Sequence, residues 1–560
     1  MKKIIVAIFL VLIITQIFAL QKKSFEMGRV SIIGKVKKDR SNISKDVYSV
    51  DSLFESAQIK DSLIDSSLTV RNLGSVGSLL TATLKGAKSP QTAKMFDGVL
   101  LNSPANGDFD ISWIEKEMLS SIKIEYSPFF MNSSGSGSGG MIDFSGLNHT
   151  PNILGISLGS EKYKKHYINT MIDDFTTLFI SNKEYRGGSS LERGRQNSIY
   201  IKKNKERFKT SLWYADRTQY LLGPSTFLTP GNYNDSTLFV YSLRSSPVKE
   251  IEYGLSAVIE KNSLYEKNLD TMSPTSTKRY NVFFNRDFND LKVKLTYEKF
   301  IGKSEQFADT DFDGLWDTKR GYDKEEDLYS VSMRKSLSPF LILTGKYYSR
   351  EDEDYQEFTI LKDFDDHSKI VIGNRYNSPT FNDLYWPNSG FTKGNPLLKS
   401  ETSGFVEYQK KIGKLFLDIS YDRYKDLIEW MPDNLGVWRP VNLSKAKIIS
   451  ANISYRLSDI LTFDINRKQA KNGNDNPLIY RPILKSVLRL KKDDLDILLN
   501  YIGKRFISGN WWGGHTTVDL NWSNEKFYLT IQNLFNREYI STLNYPTAKR
   551  TVFFGVRTKI

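Results

Sequence analysis

Leu84-Lys85-Gly86-Ala87, Met95-Phe96-Asp97-Gly98-Val99-Leu100-Leu101-Asn102, Ile122-Lys123-Ile124-Glu125-Tyr126-Ser127-Pro128 and Gly139-Gly140-Met141-Ile142-Asp143-Phe144 follow one another within residues 84–144, the stretch whose reading decides the fold. Its short apolar runs are separated by an Asp-Gly pair, a Ser-Pro pair and a Gly/Ser-rich segment at 133–140, so strands joined by turns fit better than helices. The stretch therefore reads as a small folded unit with loops of its own. An ordinary soluble α+β domain would satisfy it too, and the remainder of the chain has to decide.

Downstream, the pattern settles into a two-residue period. Ile251, Tyr253, Leu255, Ala257 and Ile259 alternate with Glu252, Gly254, Ser256 and Glu260, broken only by Val258; Leu291, Val293, Leu295 and Tyr297 alternate with Lys292, Lys294, Thr296 and Glu298. Leu415, Leu417, Ile419 and Tyr421 oppose Asp418, Ser420 and Asp422, and Leu495, Ile497, Leu499 and Tyr501 oppose Asp494, Asp496 and Asn500. Successive side chains on a strand point to opposite sides, so each run needs one apolar and one wet surrounding. A transmembrane barrel supplies lipid to one face and a polar lumen to the other. Aromatic pairs at Tyr347-Tyr348, Tyr385-Trp386 and Trp511-Trp512 suit the membrane interface. Periodicity alone accommodates 18, 20 or 22 strands of about 11 residues.

The order of pieces in 84–144 resembles the plug domain of TonB-dependent outer-membrane receptors: L-R-G, D-G-V-x-L-N, then an I/V-E run ending in a proline and G-G-x-I-N. Tyr126-Ser127 stands where that family has Arg-Gly, and Ser133-Ser134 where it has Tyr-Gly. Asn374-Arg375-Tyr376-Asn377-Ser378-Pro379-Thr380, Asp383-Leu384-Tyr385 and Gly394-Asn395-Pro396-Leu397-Leu398-Lys399-Ser400-Glu401 with Glu407 resemble the family's mid-barrel signature. Asn533-Leu534-Phe535-Asn536-Arg537-Glu538-Tyr539 and the run from Arg550 to Arg557 resemble its last hairpin. The resemblance implies an all-β membrane protein: a 22-stranded antiparallel transmembrane β-barrel occluded by an N-terminal α+β plug. The corresponding boundaries are a signal peptide at 1–19, a periplasmic tail at 20–43, the plug at 44–146 and the barrel at 147–560.

The N-terminal segment fits that division. Lys2-Lys3 precede an apolar run at 4–18 and a small residue at Ala19, the pattern of an export signal, shorter than the roughly 20 residues of a membrane-spanning helix. In the polar tail beyond it, Arg29-Val30-Ser31-Ile32-Ile33 is a β-prone pentad with no neighbouring partner strand, and it resembles the Ton box, which adds to an edge strand of TonB. It would equally serve as the plug's own first strand. Val50, Leu53, Phe54, Ala57 and Ile59 fall near helical spacing, with Asp51 a possible cap.

Composition narrows the chemistry. The 560 residues contain no cysteine, which excludes disulfides and Cys-ligated metals, and the four histidines lack metal-ligand spacing. Formal net charge is +14, but 78 Lys and Arg are interleaved with 64 Asp and Glu rather than gathered in a stripe, so nucleic acid is not an expected partner. No catalytic constellation is legible; an enzyme is not expected and no cofactor is required. In Asp309-Thr310-Asp311-Phe312-Asp313-Gly314-Leu315-Trp316-Asp317, carboxylates at alternate positions beside a glycine suit calcium, although the twelfth position holds Arg320 instead of glutamate. A solvated acidic loop is the competing reading of Asp309, Asp311, Asp313 and Asp317.

The resemblance further implies that Glu401 and Glu407 are barrel-wall carboxylates facing a plug cation, here Lys85, which offers a point charge without arginine's bidentate fork. It implies a receptor in the Gram-negative outer membrane, a monomer in contact with outer-membrane lipid, energised through TonB with ExbB and ExbD. Its ligand would be a scarce nutrient: a corrinoid first, because the chain is compact with few inserted loops, and a ferric siderophore or similar ferric chelate second. A passive porin or an adhesin barrel is the alternative.

Overall fold

The computed structural model describes the backbone of 43–49, then 59–63, 66–72, 78–127, 137, 139–148 and 152–560 apart from short segments at 187–192, 222–228, 230, 268–270, 309–317, 351–352, 365–366, 389–391, 508, 543–544 and 548. The export signal, the pentad Arg29 to Ile33 and the acidic run Asp309 to Asp317 lie outside the described residues. So does most of the segment with helical spacing; its last residue opens the 3-10 turn Ile59–Ser62.

Among the described residues, twenty-two antiparallel strands close into one barrel, from Ile153–Gly159 to Thr551–Lys559, with these first and last strands paired to each other. Inside it sits a five-stranded sheet built from Ile43–Ser49, Thr92–Phe96, Val99–Leu100, Leu119–Ser127 and Gly140–Gly146, with the hairpin Leu68–Asn72/Leu80–Leu84 beside it. The strand Thr92–Phe96 runs parallel to Gly140–Gly146, so both halves of the 84–144 stretch belong to one sheet. Among the described residues no helix is long and apolar enough to cross a membrane.

The two-residue period maps onto the wall as lipid-side and lumen-side positions. Tyr253, Leu255, Ile419, Tyr421 and Leu499 are exposed on the outer face, while Asp418, Ser420, Asp422 and Asp496 are buried on the inner one. Val258 breaks the alternation for a physical reason: it faces inward onto the plug rather than onto water. There the wall contributes Phe179, Tyr200, Trp213, Ala215, Leu238 and Val240 to a core shared with plug residues Phe96, Phe109 and Trp113. Each fully buried large apolar side chain contributes roughly 1.5–3 kcal/mol, so this patch seats the plug without any charge.

The aromatic pairs correct the sequence reading. Neighbours on a strand point opposite ways, so only Tyr347 faces outward, whereas Tyr348 is buried and donates to Glu357 at 2.6 Å. Tyr385-Trp386 end the helical turn Phe381–Tyr385, and Trp511-Trp512 lie in the small hairpin Arg505–Ile507/Asn510–Trp512, both away from the strand ends of the barrel.

One end of the barrel has two-residue turns, such as 174–175, 206–207, 249–250, 289–290, 339–340, 413–414 and 493–494; the other has long connections at 378–400, 426–445, 473–483, 503–514 and 533–550. In outer-membrane barrels short turns face the periplasm and long loops the outside. The loops at the plug's apex, 84–92 and 103–108, lie at the long-loop end: Phe381 N donates to Pro104 O at 3.1 Å and Asn382 N to Ala105 O at 2.7 Å.

Candidate functional site

The apical loop after Leu80–Leu84 turns through two residues with left-handed backbone, Lys85 at φ 50° and Gly86 at φ 87°. That conformation costs a non-glycine residue such as Lys85 roughly 1–2 kcal/mol. It is held by Lys85 N donating to Ser67 O at 3.0 Å and Ala87 N to Leu84 O at 2.8 Å. Further along, Lys88 N donates to Gln91 Oε1 at 2.7 Å, closing the loop on itself.

Lys85 Nζ lies 2.7 Å from Glu407 Oε1 and 3.2 Å from Asp418 Oδ1, all three side chains buried. Burial alone would lower the Lys85 pKa, but Asp418 and Glu407 outweigh it and hold the ammonium above its ordinary value. Gln409 Nε2 bridges the two carboxylates, at 3.1 Å from Glu407 and 2.7 Å from Asp418. Glu401 does not join this cluster, contrary to the pairing the resemblance implied. It lies six residues from Glu407 on the same strand, about 20 Å away in extended chain, beyond the reach of one ammonium. Its carboxylate meets the plug through a different side chain, accepting from Gln91 Nε2 at 2.8 Å, and also from Asn377 Nδ2 at 2.8 Å and Ile428 N at 3.0 Å.

Above Glu401, between the plug's apex and the long loops, is a cavity of about 330 Å³. The plug lines it with Arg71, Lys88 and Gln91, and the barrel with Glu429, Trp430, Trp438, Tyr480 and Arg481. This is within the size range of small-molecule sites, with the usual mixture of aromatic walls and a few polar groups. Arg481 is committed: it donates to Gly86 O at 2.6 Å and meets Glu429 at 3.1 Å. Lys88 shares Glu429 at 3.4 Å. Arg71 is different. Its guanidinium stacks 4.2 Å from the Tyr480 ring centroid, its Nε is buried without a hydrogen-bond partner, and no carboxylate pairs with it among the described residues. Burial lowers its pKa, the expected sign for a cation whose charge is incompletely compensated. The cavity therefore offers an acceptor-seeking guanidinium beside aromatic rings, the chemistry of holding an anionic or carbonyl-rich molecule.

Sequence reading missed these residues and also Lys94. This fully buried lysine donates to Ser89 O at 2.8 Å and Asp108 Oδ1 at 2.7 Å, tying the two apical loops together, and burial lowers its pKa. Lower in the lumen, Glu115 receives Lys165 at 2.8 Å and Ser181 Oγ at 2.6 Å. Burial pushes the Glu115 carboxyl up, but Lys165 and Lys183 hold it at about 2. Lys202 meets Asp97 at 2.7 Å and Arg217 meets Asp110 at 2.8 Å. Among the described residues no group of three or more His, Asp or Glu side chains is placed to hold a metal.

No family model matches the chain. Over 187 residues it is 30% identical to the vitamin B12 transporter BtuB of Vibrio vulnificus, covering 30% of each chain. Over 213 residues it is 25% identical to the vitamin B12 transporter BtuB of Photobacterium profundum, covering 32% of this chain and 33% of that one. The chain thus spans about a third of the length of the curated relatives it matches. Its fold is shared over far more. The siderophore receptor PirA from Acinetobacter baumannii superposes with a TM-score of 0.69 at 14% identity, covering 93% of this chain and 98% of that one. A mutant of the ferric enterobactin receptor PfeA from Pseudomonas aeruginosa gives 0.71 at 12%, covering 92% and 98%. The copper transporter OprC gives 0.69 at 14%, covering 92% and 100%.

Proposed function

We propose that this outer-membrane β-barrel, which has the plug-in-barrel fold of the TonB-dependent receptors, binds a scarce nutrient at the cavity between apex and long loops and admits it to the periplasm under TonB control. One observation carries the reading: the plug is tied into the lumen through buried ion pairs at Lys85–Glu407 and Lys165–Glu115 and partly buried ones at Lys202–Asp97 and Arg217–Asp110. A passive pore has no use for a stopper fastened in this way; a transporter that spends energy to move it does. The pull would come from TonB, energised with ExbB and ExbD, pairing with Arg29, Val30, Ser31, Ile32 and Ile33 as an added strand. A corrinoid is the preferred ligand, supported by the sequence likeness to vitamin B12 transporters, and a ferric siderophore is the second. The experiment is uptake of labelled cobalamin and labelled ferric chelates into cells carrying or lacking TonB. Accumulation of one of them only with TonB is expected; equal accumulation in both strains would make the protein a porin.

A further inference from the structure

On the lipid-facing side of the wall, the adjacent strands Tyr163–Asp173, Thr176–Arg186, Arg193–Lys205 and Phe208–Leu221 set their outer residues in rows fixed by register. One row is apolar: Ile168, Ile180, Ile199 and Tyr214 stand opposite one another. Toward the long-loop end comes a polar row, in which Asn182 donates to Asn197 at 2.7 Å and Asn197 to Asp216 at 2.7 Å. Beyond it the wall turns cationic. Lys164 and Arg195 flank Glu184 in one row, Arg186 stands directly opposite Arg193 in the next, and Lys162 occupies the adjoining turn.

Like charges set directly across two strands repel, and Arg186 and Arg193 stand across from each other with no carboxylate in their row. Lys162, Lys164, Arg186 and Arg195 are exposed and make no ion pair among the described residues, and the Arg193 guanidinium stacks on the Tyr220 ring at 4.1 Å from its centroid. Among the described residues Glu161 and Glu184 are the carboxylates beside these five cations, leaving a net excess of positive charge on the outside of the barrel. Six of these residues line a groove of about 530 Å³. The cationic rows begin four residues above the apolar one, about 13 Å along the strand, where a bilayer's headgroups replace its hydrocarbon.

We propose that this patch binds a phosphate-bearing lipid of the outer leaflet, with phosphates on Lys164, Arg186, Arg193 and Arg195 and acyl chains against the apolar row below. Guanidinium forks match phosphate oxygens geometrically. The groove's continuity with lipid-facing apolar wall is what favours a lipid over a soluble anion, because a free phosphate has no use for Ile168, Ile180 and Ile199. The site faces away from the lumen and is independent of nutrient transport.

The test uses the full chain purified in detergent and three probes: bisphosphorylated lipid A, the same lipid without its phosphates, and inorganic phosphate. Binding is read by native mass spectrometry for the parent, for the combined variant Lys164→Gln, Arg186→Gln, Arg193→Gln, Arg195→Gln, and for a control, Lys249→Gln with Lys414→Gln, at the exposed short-turn rim. Each surface cation near an anionic lipid contributes about a factor of five. The combined variant should therefore bind bisphosphorylated lipid A roughly 600-fold more weakly, with the control unchanged and the dephosphorylated lipid bound weakly by all three. Equal binding by the combined variant, or equal binding of the two lipids by the parent, overturns the proposal. Displacement of lipid A by equimolar inorganic phosphate would also overturn it, assigning the groove to free anions. Should the combined variant fail to fold, the comparison of the two lipids on the parent still decides.

Discussion

Replacing Lys85 with methionine should loosen the plug by an amount that can be bracketed from the geometry. At an effective dielectric of about 20, contacts of 2.7 and 3.2 Å correspond to gross attractions of about 6 and about 5 kcal/mol. Removing three ions from water costs several kcal/mol each, so the assembled cluster contributes little net stability. Deletion is another matter. Without the ammonium, Glu407 and Asp418 remain buried against each other, and losing one partner of such a cluster costs about 3–5 kcal/mol. The chain has no cysteine, so a single thiol introduced by Ala93→Cys, at a buried position of the plug core, reports opening through its rate of maleimide labelling. If labelling follows the open population, Lys85→Met should accelerate it roughly 10²- to 10⁴-fold, with the barrel's circular dichroism unchanged. Lys85→Arg, which keeps the charge, should stay near the parent. Adding Glu407→Gln to Lys85→Met should recover part of the loss, because one of the stranded carboxylates is gone. A Lys85→Met rate within threefold of the parent would refute the reasoning and would mean that the apolar wall around Trp213 holds the plug by itself. The pH dependence has a fixed sign. Lys85 has a raised pKa, so its contribution is complete below the ordinary lysine value and is lost only as pH rises through the higher folded value, above about 10.5.

Glu115 has the opposite sign. Its pKa falls from 4.5 to about 2, so its contribution is present above pH 4.5 and is lost as pH falls through about 2; a spin label at Ala93→Cys should report plug release in that window, and Glu115→Gln should flatten it. Arg71→Ala should weaken nutrient binding by about 10- to 100-fold, the worth of a charged hydrogen bond, with maleimide labelling of the plug unchanged; unaltered affinity would exclude Arg71 from the site. Calorimetric titration with calcium should give saturable heat that disappears in Asp311→Ala, Asp313→Ala, and equal heats from both proteins would reduce the acidic run to a solvated loop.

How much of this was legible in the sequence depended on whether one strand or several had to be known. The lipid face was, because it needs only the period of a single strand: Leu415 to Tyr421 declare it alone. Their inner counterparts read simply as wet, yet Asp418 is a partner of Lys85 because Gln409, two residues beyond Glu407, stands opposite it in the neighbouring strand. Register between strands is absent from any one run, and without it Glu401 was a reasonable but mistaken companion for Glu407. Val258 was the exception that carried information, since an apolar residue on a supposedly wet face implies something dry opposite. The cavity lay furthest from view. Its residues come from a plug hairpin, an apical turn and several long connections, and no periodicity runs through loops. Arg71 sits on a plug strand, in the hairpin Leu68–Asn72/Leu80–Leu84, where a single arginine in a short strand looks like any solvated charge. What distinguishes it is that no carboxylate pairs with it among the described residues, which becomes visible only when the barrel is folded around it.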